Sequence, residues 1–408
     1  MRLLLSILLS LATASLSAAV SPPGQPASGP GGAAYAHASV AMSSHGAGGQ
    51  AYVLFEPQNP APTNAPVVVF NHGWNGFNPA SYGAWIRHLV RRGNVVIYPK
   101  YQASALTPPR DITTNALVAL QDALARLSTE PGRVRPDTNR FAIVGHSAGG
   151  ILTMNLAARA AAHGLPIPKA LMSVEPGRTW TGSETTAIPL DALGNLPPAT
   201  LLLVVVGDAD ATVRDVDGRK IFYGATGVPL DNKDFVTLRS DTYGTPDLDA
   251  THLAPCAVDN AFDDGSGKFP GSDLLGGLST NALDFFGTWK LFDALTDAAF
   301  YGTNRAYALG NTPEQRFMSQ WSDDRPVNEL LVTDTPPRAT LHFAAGPTPQ
   351  TVTLSFLSEV DVPWRLFSSP DLADWSNSVT NGVGNGSTVT LTLPATAPRQ
   401  FFRLAQPE

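Results

Sequence analysis

The stretch Phe141-Ala-Ile-Val-Gly-His-Ser-Ala-Gly-Gly150 decides how this chain is read. An apolar, β-rich run over residues 141–144 leads into Gly145-His-Ser-Ala-Gly149, and a helix-forming run over residues 151–162 follows at once. This is G-x-S-x-G between a strand and a helix, the context in which the motif carries meaning. Its glycines let the backbone turn so sharply that the serine hydroxyl stands clear of the sheet. Ser147 is the expected nucleophile, and a small-residue turn that only packs helix against sheet is the plainer alternative.

Outward from the elbow, the chain alternates apolar strands with amphipathic helices. Val67-Val-Val-Phe70, Val95-Val-Ile-Tyr98, Lys169-Ala-Leu-Met-Ser-Val174 and Leu201-Leu-Leu-Val-Val-Val206 are continuous apolar runs, as expected of strands covered on both faces. Helices are predicted over residues 80–91, from an Asp111 cap through Ile112, Ala116, Leu120 and Leu127, and over residues 281–299. The last carries Leu283, Phe286, Trp289, Phe292 and Leu295 on one broad face. Repeated βα units imply an α/β fold with a mostly parallel central sheet flanked by helices. Two β-like stretches, residues 35–42 and 51–55, predict an antiparallel hairpin at the sheet edge.

After Pro336-Pro337 the rhythm changes. Thr351-Val-Thr-Leu-Ser-Phe356 and Thr388-Val-Thr-Leu-Thr-Leu393 alternate strictly, the period of half-buried antiparallel strands. Residues 338–408 therefore read as a small all-β, sandwich-like module, and residues 35–335 as the catalytic domain. Residues 1–19 have the basic start, short apolar core and small-residue end of an export signal, with cleavage expected after Ala19. Secretion or periplasmic delivery follows, with no integral membrane segment once the signal is gone. Residues 20–34, rich in Pro, Gly, Ala and Ser, are expected to form a flexible linker.

Composition narrows the function further. A net charge of −7 with no Lys/Arg-rich run recommends neither nucleic acid nor an anionic membrane as partner. A single cysteine, Cys256, leaves an exported chain without an internal disulfide. Cys256 reads as a small buried apolar residue in preference to a reactive thiol. Asp263-Asp-Gly-Ser-Gly267 and Asp215-Val-Asp-Gly218 are acidic loops, but neither has the ligand spacing of a known calcium loop, and solvated turns are expected.

A serine hydroxyl needs a base to take its proton and an acid to orient that base. In the strand–elbow–helix arrangement the chain order is Ser, acid, His. Of the histidines, His37, His45, His72, His88 and His146 precede or adjoin Ser147, His163 ends the following helix, and His342 falls in the β module. His252, in Ala250-Thr-His-Leu-Ala-Pro255, is the expected base. For the acid, Asp210 in Gly207-Asp-Ala-Asp210, just beyond a central strand, is favoured. Asp208 then has a structural role, while Glu175, directly after the preceding strand, is the rival. The oxyanion needs two preorganised donors. They are expected from the backbone N–H of Ala148 and of Trp74 in Asn71-His-Gly-Trp-Asn-Gly76. Trp74, His146 and Phe77 are expected to face substrate.

The His72-Gly73-Trp74 loop, the Gly145–Gly149 elbow, Gly207-Asp-Ala-Asp210 and His252 together resemble the α/β-hydrolase superfamily. Within it they are similar to the branch of dienelactone hydrolases, bacterial polyester hydrolases, chlorophyllases and platelet-activating-factor acetylhydrolases. The resemblance spans residues 35–297. It implies esterase chemistry without cofactor or metal: acylation of Ser147, then hydrolysis by a water activated by His252. Two departures matter. Residues 179–198 look inserted between Ser147 and Asp210, and members resembling chlorophyllase place their acid after the earlier strand, which keeps Glu175 open. The C-terminal Trp364-Arg-Leu-Phe-Ser-Ser-Pro-Asp-Leu-Ala-Asp-Trp375 and Phe401-Phe-Arg-Leu404 resemble a β module at the C-termini of secreted bacterial proteins.

The leading expectation is thus a secreted serine hydrolase acting on small-molecule or polymeric carboxylic esters. A peptidase resembling the prolyl-oligopeptidase group shares the elbow, but no propeller repeat precedes the catalytic domain. An inactive hydrolase-fold protein that contacts a cell surface or polysaccharide through its β module is the reading of a different class.

Overall fold

Residues 67–70 set the architecture. In their strand, Asn64–Asn71, every residue after the first is buried, and side chains alternate between two separate cores. Val68 and Phe70 enter one core, Val67 and Val69 the other, the period-two alternation of a strand covered on both faces. The computed structural model describes residues 19–179, 186–267, 278–336, 341–348, 350–358, 363–385, 387–394 and 399–405. All of the expected export signal except Ala19 lies outside them.

The large sheet comprises β1 (Ser39–His45), β2 (Tyr52–Gln58), β3 (Asn64–Asn71), β4 (Val95–Pro99), β5 (Arg135–His146), β6 (Ala170–Val174), β7 (Leu201–Gly207), β8 (Lys233–Leu238) and β9 (Leu331–Thr333). Its spatial order is β1-β2-β4-β3-β5-β6-β7-β8-β9. The run from β4 to β8 is parallel, and β1, β2 and β9 are added antiparallel at the two edges. The helices are α1 (Gly83–Arg91), α2 (Ile112–Thr129), α3 (Ala148–Arg159), α4 (Val216–Gly224) and α5 (Trp289–Tyr301). Trp85 and Leu89 of α1 and Phe292 and Leu295 of α5 fill the first core. Leu120 of α2, Ile151 of α3 and Ile221 of α4 fill the second. This is the α/β-hydrolase fold.

The expected edge hairpin forms, shifted a few residues along, with Ser39 opposite Gln58 and His45 opposite Tyr52. β9 has no sequence forerunner, because a three-residue strand is too short to show a period. The late helix opens with a π-helical turn at Leu283–Thr288 before α5 begins. Asp111 makes no side-chain cap to α2; a 3₁₀ turn at Pro109–Asp111 leads into the helix instead.

Residues 20–34 depart from the expected flexible linker. The Gly31 N–H donates to Asp293 Oδ2 at 2.7 Å, and Gln25 Nε2 donates to Tyr35 Oη at 2.9 Å. Asp293 is buried, and its Oδ2 also meets His88 Nε2 at 2.8 Å and Arg92 Nε at 3.2 Å. A tether-like composition is held down by a buried carboxylate far along the chain, which local composition does not reveal.

Beyond residue 340 the described chain forms β10 (His342–Ala345), β11 (Thr351–Leu357), β12 (Pro363–Ser369), β13 (Asn377–Val383), β14 (Thr388–Pro394) and β15 (Phe401–Ala405). They make two three-stranded antiparallel sheets, β10-β11-β14 and β13-β12-β15. Leu354 and Phe356 of the first are buried, as are Trp364 and Leu366 of the second. The rings of Phe356 and Trp364 meet edge to face at 5.1 Å, the small aromatic core of a sandwich. No helix among the described residues is long and apolar enough to cross a membrane.

Candidate active site

The elbow lies between β5 and α3. Ser147 has φ of +57°, a conformation costly for a residue with a Cβ. The surrounding backbone holds it there: Ser147 N–H donates to Val174 O at 2.9 Å, and Gly150 N–H donates to Ser147 O at 2.8 Å. The flanking glycines are needed for a steric reason. A Cβ on Gly145 would lie 2.2 Å from Gly149 O, and one on Gly149 would lie 2.2 Å from Asn71 O. The motif is therefore a packing requirement between elbow, α3 and the end of β3.

From Ser147 an unbroken line of hydrogen bonds runs outward. Ser147 Oγ lies 2.9 Å from His252 Nε2, and His252 Nδ1 lies 2.8 Å from Asp210 Oδ2. Asp210 Oδ1 accepts from the N–H groups of Thr212 at 2.8 Å and Val213 at 3.0 Å. Burial pushes the Asp210 carboxyl up, but the His252 hydrogen bond and charge and these two N–H groups outweigh it and hold the group below its ordinary value. Asp208 does other work: its carboxylate accepts from Ser240 N at 3.0 Å and Ser240 Oγ at 2.6 Å, tying the ends of β7 and β8 together.

Glu175, the rival acid, follows β6 with φ of +43° and is fully buried. Its Oε2 lies 3.7 Å from His252 Nδ1 and 3.4 Å from His146 Nε2. Among the described residues neither of its oxygens has a hydrogen-bond partner. Burial, reinforced by the charge of Asp210, pushes its carboxyl well above the ordinary value. Burial and the neighbouring His252 hold the His146 imidazole well below its ordinary value. Burial therefore disfavours the charged form of both partners in the Glu175–His146 approach.

His146 was expected to face substrate and does not. It is buried, with Nδ1 2.8 Å from Tyr82 Oη. Tyr82 Oη in turn accepts the Gly73 N–H at 2.9 Å, so one buried hydroxyl links the underside of the elbow strand to the Trp74 loop. The same loop is gripped by Asn75 N–H to Gln102 Oε1 at 2.9 Å and by Tyr101 Oη donating to His72 O. Sequence reasoning missed Tyr82, because no motif marks it and its partners are distant in sequence.

The backbone N–H groups of Trp74 and Ala148 have no acceptor among the described residues. The Trp74 side chain is half-buried, and the Arg178 guanidinium lies 4.0 Å over its ring. Phe77 is half-buried beside Gly267. Part of the apparent insertion, residues 180–185, lies outside the described residues. Its later part packs on α3: Asp191 N–H donates to Asn155 Oδ1 at 2.9 Å, and Arg159 Nε donates to Asp191 Oδ2 at 2.7 Å.

His146, Glu175 and His252 bring one ligand atom each within 4.8 Å of one another. Both nitrogens of His252 are already engaged, by Ser147 and Asp210, so a cation there would have to break that line. In the acidic loops, Asp264 pairs with Lys100 at 2.5 Å, and Asp215 pairs with Arg219 at 2.6 Å. Cys256 is buried, which pushes its thiol up to about 12 and leaves it unreactive at neutral pH.

A family model described as Chlorophyllase matches residues 31–189, less than half of the chain. That span contains the Trp74 loop, the elbow and Glu175, and ends before Asp210 and His252. No curated protein matches the chain. The sheet order and the strained serine between strand and helix are those of the α/β-hydrolase fold, and residues 31–189 are similar to the chlorophyllase family.

Proposed function

We propose that this protein hydrolyses carboxylic esters through an acyl-enzyme on Ser147. The observation that carries the reading is the Ser147–His252–Asp210 line, with contacts of 2.9 and 2.8 Å, beside two backbone N–H groups without acceptors among the described residues. His252 Nε2 takes the hydroxyl proton as Ser147 Oγ attacks the ester carbonyl. Asp210 keeps Nδ1–H pointing away from the serine and stabilises the imidazolium that forms. The carbonyl oxygen becomes an oxyanion and is met by the N–H groups of Trp74 and Ala148. The imidazolium then protonates the departing alkoxide. Water, deprotonated by the same His252 nitrogen, attacks the acyl-enzyme and releases the acid with Ser147 restored.

Preorganisation of the oxyanion site supports this assignment. Tyr82 holds Gly73 from below, and Gln102 holds Asn75 from the side, so the intervening Trp74 N–H needs no rearrangement during reaction. Export, carried by residues 1–19, remains part of the proposal. The test is hydrolysis of aryl esters of increasing acyl length, alongside labelling by a fluorophosphonate. Replacing Ser147 by Ala is expected to abolish labelling and lower kcat by about 10⁴–10⁶-fold. Equal turnover by parent and Ser147→Ala would sink the assignment.

A further inference from the structure

We infer that Arg178 makes this site selective for esters that also carry a carboxylate group, a refinement that rests on the ester-hydrolysis reading above. Arg178 ends the segment Glu175-Pro-Gly-Arg178 beyond β6. That segment runs beside the nucleophile, since Gly177 N–H donates to Ser147 O at 3.3 Å. The guanidinium then reaches over the Trp74 ring, 4.0 Å from its centroid. Arg178 thus spans the two loops that flank Ser147, one bearing an unpaired oxyanion donor and the other supporting the elbow.

Its lack of an anionic partner among the described residues is the telling feature. Arg133, Arg159 and Arg219 each pair with a carboxylate, at 2.7, 2.7 and 2.6 Å respectively. Among the described residues Arg178 has no ion pair and no acceptor for any side-chain N–H, and its Nε is buried. The adjacent acid does not serve: Asp217 accepts from Thr179 N–H at 2.9 Å and is paired with Lys220 at 3.2 Å. Arg178 also has φ of +93°, strain of the kind that persists where the surroundings over-determine a position at a functional site. Burial lowers the guanidinium from its usual value, so the charge is held in partly desolvated surroundings. A guanidinium over an indole is pinned in place while its N–H edge matches the planar fork of a carboxylate.

The ligand is therefore an ester bearing a free carboxylate, placed on the Trp74 side of Ser147. The carboxylate can belong to the acyl part, as in a half-ester of a dicarboxylic acid, or to the alcohol part, as in an acylated hydroxy acid. The experiment compares kcat/KM of the full chain for matched neutral and carboxylate-bearing esters in both arms, and repeats the comparison with Arg178→Gln and Arg178→Lys. At least one arm is expected to favour the anionic ester tenfold or more in the parent, with the preference shrinking as salt is raised. The ratio is expected to fall at least tenfold in Arg178→Gln and less in Arg178→Lys, which keeps the charge but loses the fork.

A ratio near one in both arms, or a ratio that Arg178→Gln leaves unchanged, overturns the inference while ester hydrolysis itself stands. Hydrolysis of no ester beyond the Ser147→Ala background overturns the ester reading and this refinement with it. Benzoate binding to the Ser147→Ala protein, measured with and without Arg178→Gln, reads the anion subsite independently of turnover. Binding by the first and at least tenfold weaker binding by the second is expected, and equal binding overturns the assignment of Arg178.

Discussion

The ends of β6 and β7 lie side by side and each carries a carboxyl near His252, yet their surroundings push the two in opposite directions. At β7, Asp210 accepts from His252 and from two backbone N–H groups and is kept ionised. At β6, Glu175 has no hydrogen-bond partner among the described residues, and burial pushes its carboxyl well above the ordinary value. Both are buried, so burial alone does not separate them. What separates them is hydrogen-bond donors: an anion out of water needs its lone pairs met, and only the β7 loop supplies N–H groups to do so. Two ionised carboxylates so close to one imidazole would also repel, so the charge of Asp210 helps to keep Glu175 neutral.

The strongest way to break the comparison is Asp210→Asn. With the charge gone and the amide able to favour the wrong tautomer of His252, kcat is expected to fall about 10³–10⁴-fold. The same change removes the neighbouring charge that raises Glu175, which then ionises more readily 3.7 Å from His252 Nδ1. The residual activity of Asp210→Asn is therefore expected to rise with pH, and to lose that rise in the Asp210→Asn, Glu175→Gln double variant. A kcat near that of the parent in Asp210→Asn would exchange the roles of the two strand ends.

These two strand ends also show what was legible in the sequence. Chain order and strand ends singled out Ser147, His252 and the pair Asp210 and Glu175, because Glu175 directly follows one apolar run and Asp210 lies just beyond another. Which acid meets the histidine depends on N–H groups presented by residues 212 and 213, and loop conformation leaves no periodic trace. The period-two alternation of β5 also places His146. Ala142 and Val144 enter the core that contains Tyr82, so His146, two residues further, turns the same way and not toward substrate. No motif marks Arg178, although it lies four residues beyond a strand end, where ligands gather in such sheets.

A smaller effect is expected from Tyr82→Phe, which tests whether the groups between the ends of β3 and β5 act through position instead of charge. The change removes the hydroxyl shared by Gly73 N–H and His146 Nδ1. Two buried polar groups lose a partner, at a cost of about 1–3 kcal/mol each in stability before relaxation. The Trp74 N–H is then less firmly placed, and kcat is expected to fall roughly tenfold with KM little changed, the pattern of a lost transition-state interaction. A loss confined to thermal stability would mean that the loop keeps its shape without Tyr82.

The smallest effect on turnover belongs to Glu175→Gln, and it is the sharpest test of the protonated state. A neutral glutamic acid and a glutamine have nearly the same shape and charge, so kcat at neutral pH is expected to stay within about threefold of the parent. Stability tells the two apart. Because the folded-state pKa of Glu175 is raised, the native protein retains a proton that the unfolded chain has released once pH exceeds the ordinary glutamate range. From there up to the folded value, this group makes native stability fall by about 1.4 kcal/mol per pH unit. Glutamine carries no such term. The difference in Tm, variant minus parent, is therefore expected to be flat at low pH and to grow through that window. A loss of kcat of a hundredfold or more would instead assign the orientation of His252 to Glu175. A Tm difference that does not grow with pH would mean that Glu175 is ionised in the native protein, and the contrast between the two strand ends would collapse to one of hydrogen-bond geometry.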